Sequence, residues 1–191
     1  MMCIQQGNIS AFEELYNRYS RRLLTYFFRA LGGDSEKAQD FLQETFLKVI
    51  EKPNLFRPQS TFSTWIFTVA DNLCKNEYRR LHVRRIVERN IDIDSIALNP
   101  EDEYLSAGDG VDQETFECIL YKELETINPG HRSAFLLRYQ QNLSIKEISK
   151  ILECSEGTVK SRLFYTVRKL AARLKDFNPC NTEVCKNEQM Q

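Results

Sequence analysis

Glycine and proline are scarce in this chain, with seven and five among 191 residues. That scarcity argues against collagen-like, low-complexity and turn-dense all-β architectures and suits helices. No apolar run approaches the length needed to cross a bilayer. The opening residues MMCIQQGNIS hold neither a basic stretch nor an apolar core, so no secretory signal is expected and a cytoplasmic location is. Six cysteines, at positions 3, 74, 118, 154, 180 and 185, are scattered along the chain. That is the usage of a reducing compartment and not of a disulfide scaffold. Cys180 and Cys185 are loosely spaced and lack histidine neighbours, so they make a poor zinc pair. No metal and no other cofactor is expected. Hydrophobic residues still make up 42%, enough for packed cores, and 28% charged residues favour solubility.

The chain also lacks an excess of either charge, its net charge being −1. That balance hides a segregation. From Asn90 to Glu117 there are nine acids and no lysine or arginine, together with Pro100, Gly108 and Gly110. The stretch divides an N-terminal module, about 8–89, from a C-terminal module, about 118–176, with a tail at 177–191. One reading of residues 90–117 is a solvated, self-repelling tether. The other is an acidic strand that occupies a basic groove built for nucleic acid.

Residues 144–175, SIKEISKILECSEGTVKSRLFYTVRKLAARLK, carry the strongest signal. They read as a short helix, a tight turn and a long basic helix, the geometry that lays one helix into the major groove of DNA. Ile145, Ile148, Ile151 and Leu152 stripe the first helix at helical spacing. Small Ser149 lies where two closely crossing helices would otherwise collide. Glu153, Cys154 and Ser155 form the turn, and Ser155 is a natural N-cap for the second helix. Val159, Leu163, Val167, Leu170 and Leu174 are its expected buried face. Between 156 and 175 six lysines and arginines stand against one acid, Glu156. Cations aimed away from an apolar stripe suit phosphate contact. A solvated amphipathic helix with a cationic C-terminal end would share much of this pattern; the two-helix unit favours DNA.

The N-terminal module reads as three helices. Ile9 to Leu31 carries Phe12, Leu15, Tyr16, Tyr19, Leu23, Leu24, Phe27 and Phe28 at helical spacing, and Gly32-Gly33 ends it. A helix over about 35–52 follows, capped by Asp34 or Ser35. It is expected to bury Ala38, Phe41, Leu42, Thr45, Phe46, Val49 and Ile50 and to expose Asp40, Gln43, Glu44 and Lys48. Asp40 and Glu44 share a helical turn, yet no histidine or cysteine stands at ligand spacing, so a solvent-facing acidic patch is the better reading. The third helix starts near Thr61 and reaches His82 or beyond. Its approach and first turns, FRPQSTFSTWIFTVADNLCKNEYRR (56–80), alternate aromatics with hydroxyl, amide and cationic residues. Such a mixture suits unpaired bases, because aromatic faces stack them while cations hold the backbone. Phe62, Trp65 and Phe67 could equally be core.

Three blocks in order resemble the sigma-70 family of bacterial RNA polymerase sigma factors, specifically the compact two-domain extracytoplasmic function (ECF) class. AQDFLQETFLKVI (38–50) is similar to the helix that binds the polymerase clamp. FRPQSTFSTWIFTVADNLCKNEYRR is similar to the element that captures the −10 strand. INPGHRSAFLLRYQQNLSIKEISKILECSEGTVKSRLFYTVRKL (127–170) is similar to the −35 reader. The resemblance implies an all-α fold of two small helical domains, joined by an acidic flexible linker, the C-terminal one a helix-turn-helix. It implies polymerase binding by Asp40, Gln43, Glu44, Phe46 and Lys48. It implies −10 contacts by Phe56, Arg57, Ser60, Phe62, Trp65, Asn72, Lys75, Asn76, Arg79 and Arg80, with a base flipped into the loop near Phe56–Ser60. It implies −35 contacts by Arg138, Ser155, Thr158, Lys160, Ser161, Arg162, Phe164, Tyr165 and Arg168.

The implied partners are core RNA polymerase, duplex promoter DNA, the opened non-template strand and an anti-sigma factor, with no membrane insertion and no catalysis. The acidic stretch would thread the polymerase channel. Phe135, Leu136 and Tyr139 belong to the preceding helix and are expected in its core, with contact to the polymerase flap as the alternative. Two departures bear on specificity: Tyr165 stands where many relatives carry arginine, and Pro58-Gln59 replaces smaller or acidic residues. A conventional helix-turn-helix regulator with an N-terminal sensing or dimerisation domain is the competing reading, although no heptad seam supports dimerisation. A DNA-processing enzyme would need a nucleophile beside clustered arginines or a carboxylate metal site, and the sequence offers neither.

Overall fold

The computed structural model describes residues 1–56, 61–91 and 113–175. Arg57 and Ser60, the centre of the acidic stretch, and the tail with Cys180 and Cys185 lie outside the described residues. Eight α-helices and no strands are found among those described: α1 (Met2–Gln5), α2 (Ile9–Ala30), α3 (Ser35–Glu51), α4 (Phe62–Ile91), α5 (Gln113–Glu125), α6 (Pro129–Phe135), α7 (Ile145–Ile151) and α8 (Glu156–Arg173). A 3-10 turn at Pro53–Leu55 follows α3, and α6 continues into a π turn at Leu136–Gln140. Helix thus extends into both ends of the acidic stretch, α4 to Ile91 and α5 from Gln113.

Local chemistry sets the helix ends. Asn8 and Asp34 cap α2 and α3 by accepting from Ala11 N at 3.0 Å and Lys37 N at 2.9 Å. Gly32 and Gly33 take φ of +71° and +82°, and Gly33 N donates to Phe28 O at 2.8 Å, closing α2 with a left-handed cap. Thr61 caps α4 through its hydroxyl, which accepts from Thr64 N at 3.2 Å. The apolar stripes of α2, α3 and α4 meet in one core of Leu23, Tyr26, Phe27, Leu42, Phe46, Val49, Ile66, Phe67 and Leu73. Leu124, Leu136, Leu137, Ile148, Ile151, Val159, Leu163 and Leu170 continue the same buried cluster into the C-terminal module.

Three expectations about burial are corrected. Ile50 is 51% exposed, because α3 turns its Thr45–Phe46–Val49 edge inward. Val167 is 40% exposed and Thr166 takes its place. Thr166 can be buried because its hydroxyl donates to Arg162 O at 2.7 Å. Tyr139, expected in the core, is exposed, with its ring 4.7 Å from that of Phe135.

The two modules pack against each other, α4 on α6 and α7, and α2 on α6 and the π turn. The contact is polar at its centre. Arg132 of α6 is buried, and its guanidinium donates to Ala30 O at 2.8 Å, Glu125 O at 2.9 Å and Ile127 O at 3.4 Å. The Tyr78 hydroxyl donates to the same Ala30 carbonyl. That carbonyl belongs to the last turn of α2, where backbone acceptors lack helical partners and the macrodipole favours a cation. Beside it the Tyr26 hydroxyl donates to Asp71 Oδ1 at 3.0 Å and lies 3.4 Å from Ser133 Oγ. Arg22 and Gln141 exchange three bonds, Arg22 Nε to Gln141 Oε1 and Nη2 to Gln141 O, both at 3.1 Å, and Gln141 Nε2 to Arg22 O at 3.3 Å. The π turn makes this possible: Gln141 N bonds Leu136 O at 3.1 Å, and the widened turn places Gln141 inward.

Burial, reinforced by the Asp71 charge, pushes the Tyr26 phenol and the Cys74 thiol well up, and burial raises Tyr78 as well. All three are held neutral, with folded pKa values above their ordinary 10.0 and 9.0. Their contribution to stability is therefore complete below those ordinary values and is lost as pH rises beyond them. Denaturant unfolding should show stability declining from about pH 9 upward, by about 1.4 kcal/mol per pH unit for each group engaged. A profile flat to about pH 11 contradicts this. Tyr26→Phe leaves Asp71 short of a buried donor and should lower unfolding free energy by about 1–3 kcal/mol in urea titrations.

Candidate nucleic-acid interface

The helix-turn-helix is α7, the turn Leu152–Ser155 and α8. Ser144 and Glu147 cap α7 reciprocally, with Glu147 N donating to Ser144 Oγ at 3.3 Å and Ser144 N to Glu147 Oε2 at 2.9 Å. Glu153 turns the chain at φ +54°, and Cys154 N closes the turn on Ser149 O at 3.0 Å. Ser155 then caps α8, its hydroxyl accepting from Thr158 N at 3.0 Å and lying 2.9 Å from the Thr158 hydroxyl. Val159, Leu163, Thr166, Leu170 and Leu174 are buried, which turns Lys160, Ser161, Phe164, Tyr165 and Arg168 outward. Arg162 is not fully outward: its guanidinium lies over Gly130 at the start of α6. Arg138, on the π turn, is exposed and donates to Leu143 O at 2.9 Å. His131 is held below its ordinary pKa by burial and then by the Arg162 and Lys169 cations, which reports a positive field at the base of α8.

In the N-terminal module the aromatics form one cluster. Phe56, Phe62 and Trp65 contact each other with ring centroids 5.6–6.0 Å apart, and Tyr19 meets Phe62 at 5.0 Å. Phe62 and Trp65 are half-buried while Phe67 is fully in the core. Phe56 and Thr61 flank residues 57–60 and are both anchored, Phe56 by this cluster and Thr61 by its cap. Beyond Trp65, Asn72, Asn76 and Arg79 form an exposed row at helical spacing, with Arg80 beside it. Lys75 pairs with Asp71 Oδ2 at 2.9 Å, and Arg80 lies 3.7 Å from Glu77. Lys75 thus neutralises a buried carboxylate of its own helix as well as lying on the α4 surface.

On α3, Asp40, Gln43 and Glu44 are exposed, and Lys48 reaches back to Glu44 at 2.8 Å. Phe46 is not on that face: it is 4% exposed and packs on Phe12 and Tyr16. No group of three or more metal-ligating side chains occurs among the described residues. No described helix is long and apolar enough to cross a membrane. Sequence reasoning missed the polar centre formed by Tyr26, Asp71, Arg132 and Gln141. Its one local signal is a charge inside an apolar stripe, Asp71 between Ala70 and Leu73 and Arg132 before Ala134.

Ser155 separates folding from charge at the front of α8. Ser155→Ala should cost about 1 kcal/mol through the lost cap. Ser155→Asp keeps a capping oxygen but adds a negative charge at the front of a helix expected to meet DNA, so it should keep the unfolding midpoint and weaken duplex binding. Thermal unfolding beside salt-dependent DNA titration checks both. Equal DNA affinity for wild type and Ser155→Asp contradicts this placement of the N-terminus of α8.

Residues 15–84 match the family Sigma-70 region 2, and residues 119–170 match Sigma-70, region 4. The first covers most of α2, all of α3 and most of α4, and the second covers nearly all of the helix-turn-helix with its supporting helices. The chain is 31% identical over 175 residues to the ECF RNA polymerase sigma-E factor of Escherichia coli, covering 84% of this chain and 85% of that protein. It is 29% identical over 175 residues to the ECF RNA polymerase sigma factor BldN of Streptomyces coelicolor, spanning 90% of this chain but 63% of that protein's length. Among solved structures, the sigma factor RpoE in complex with the anti-sigma factor NepR from Bartonella quintana has a similar fold, with a TM-score of 0.67, 22% identity, and coverage of 86% of this chain and 97% of that one. CnrH in complex with the cytosolic domain of CnrY gives a TM-score of 0.65 at 21% identity, covering 92% of this chain and 94% of that one. With both domains matched in order and the sigma-E likeness running almost end to end, the chain belongs to the sigma-70 family, in the ECF class of RNA polymerase sigma factors.

Proposed function

We propose that this chain directs core RNA polymerase to promoters, with α8 reading the −35 duplex and the Trp65 face of α4 receiving the opened −10 strand. The observation that carries the reading is the pairing of two outward faces of different chemistry on two modules of one chain. α8 offers Lys160, Ser161 and Arg168, suited to the backbone and base edges of a duplex. α4 offers half-buried Trp65 followed by Asn72, Asn76 and Arg79, suited to stacking and holding unpaired bases. Phe56, Arg57 and Ser60 would frame the flipped base. Flipping costs a few kcal/mol, which stacking and a fitted pocket must offset. The exposed Asp40–Gln43–Glu44 face of α3 docks on the polymerase, where opposite charge sets register and association rate. The chain itself is not a catalyst, and it works in the cytoplasm. An anti-sigma protein that holds the modules together is the fitting regulator, and a sigma factor of similar fold has been solved in complex with an anti-sigma factor.

Geometry adds a requirement. The −10 and −35 elements lie about 85 Å apart along B-form DNA. A compact chain of this length has a radius of gyration of about 16 Å, and its longest described helix, the 30-residue α4, spans only about 45 Å. The packed modules therefore cannot occupy both elements at once, and the contact around Arg132 must part. Twenty-one residues separate Ile91 from Gln113. Their contour of at most ~75 Å, added to the reach of the two modules, is enough.

Trp65→Ala should reduce permanganate-reactive thymines at a cognate promoter at least about fivefold, the loss of a stacking contact of about 1–3 kcal/mol. Duplex −35 binding by the same holoenzyme should stay within about twofold. Normal melting with weakened duplex binding would overturn the assignment of Trp65.

A further inference from the structure

Phe164 and Tyr165 stand out on the surface of α8, 61% and 59% exposed, and their rings meet edge to face at 5.5 Å. Two adjacent large aromatics left in water on a helix with a complete buried stripe are unusual, because covering them would remove much apolar area from solvent. Helical geometry, at about 100° per residue, fixes where they point. The buried stripe runs through Val159, Leu163, Thr166 and Leu170. Diametrically opposite lies the line Ser161–Arg168, and Phe164 and Tyr165 flank it on either side. The pair sits about 15 Å along the axis from the Ser155 cap, in the middle turns. Lys160, Arg168 and Lys169 are exposed around it. An apolar patch ringed by cations, at the centre of the outward face of a helix-turn-helix, fits a duplex groove better than an apolar protein partner.

We propose that Phe164 and Tyr165 set base preference in the upstream duplex by packing on the C5 methyl groups of thymine. The proposal rests on the −35 role of α8 and specifies its chemistry. In the major groove thymine alone among the four bases presents a methyl group, and apolar side chains select it through that group. Neither ring can offer the paired donors that a guanine edge requires. The surrounding cations hold the backbone, and Ser161 leaves room for the rings to approach. Both rings stand outside the buried cluster, so changing them alters the groove face more than the fold.

The test uses holoenzyme, this chain with core polymerase, on promoter fragments with a randomised −35 region. Selection should enrich thymine at one or two adjacent positions. Replacing those thymines with deoxyuridine, which removes only the methyl, should weaken binding about fourfold, the value of one buried methyl. Phe164→Ala with Tyr165→Ala should abolish the thymine-over-uracil difference while core binding stays unchanged. Tyr165→Arg should shift the preferred base at its position to guanine. Equal binding of thymine and deoxyuridine duplexes overturns the proposal, as does a thymine preference that survives the double alanine variant. A double variant that loses core polymerase instead assigns the pair to a protein contact and also overturns it. If wild-type holoenzyme selects an upstream sequence without thymine, the methyl reading fails and the −35 role stands. If it selects no upstream sequence at all, the −35 role falls with it.

Discussion

The carbonyl of Ala30 is the point on which the architecture turns. It sits at the C-terminal end of α2, where a helix leaves acceptors unpaired and carries partial negative charge. The partners that satisfy it come from outside α2: Tyr78 from α4 and Arg132 from the other module. Arg132 in turn is a buried cation whose hydrogen bonds run to three carbonyls. Such a group is stable only while those acceptors stay in place, since a buried charge stripped of partners is strongly unfavourable. The contact is therefore specific, and it is also reversible. Arg132, Asp71, Lys75 and Gln141 are all groups that water solvates well once the modules part.

That polar centre sits within a buried apolar cluster that runs through both modules. Within each module the helices meet through Phe27, Phe46, Phe67, Ile148 and Leu163, and exposing such surface to water is costly. Between modules a polar centre resembles a transient interface more than a domain core. The arrangement leaves Asn72, Asn76 and Arg79 on α4 and Lys160, Ser161 and Arg168 on α8 exposed. Neither face needs to be uncovered. What the contact fixes is the distance between them, and promoter spacing requires a larger one.

Much of this was legible in the sequence, and the reasons are physical. Helix positions, the Ser155 cap and the stripe of α8 follow from periodicity and short-range hydrogen bonding, which a local window contains. Small errors fell at stripe edges: Ile50 and Val167 sit one position outside the buried face. Phe46 was read both as core and as polymerase contact, and the fold places it in the core. The contact between modules was not legible. Asp71, Arg132 and Gln141 are polar residues that a local reading assigns to water, and they become buried only when a second module closes over them. The π turn that brings Gln141 to Arg22 likewise has no sequence rule that local patterning expresses.

The central claim is that one chain is closed when free and open on a promoter. The most direct measurement is the distance between a label on α3 at exposed Glu36 and one on α8 at exposed Ala171, read by spin-label or fluorescence methods in both states. The free chain should give a single short distance, within the roughly 45 Å length of α4. The promoter-bound holoenzyme should give one longer by tens of ångströms, approaching the roughly 85 Å between the two DNA elements. A distance that stays short in a transcription-competent complex, or one already long in the free chain, would contradict the account.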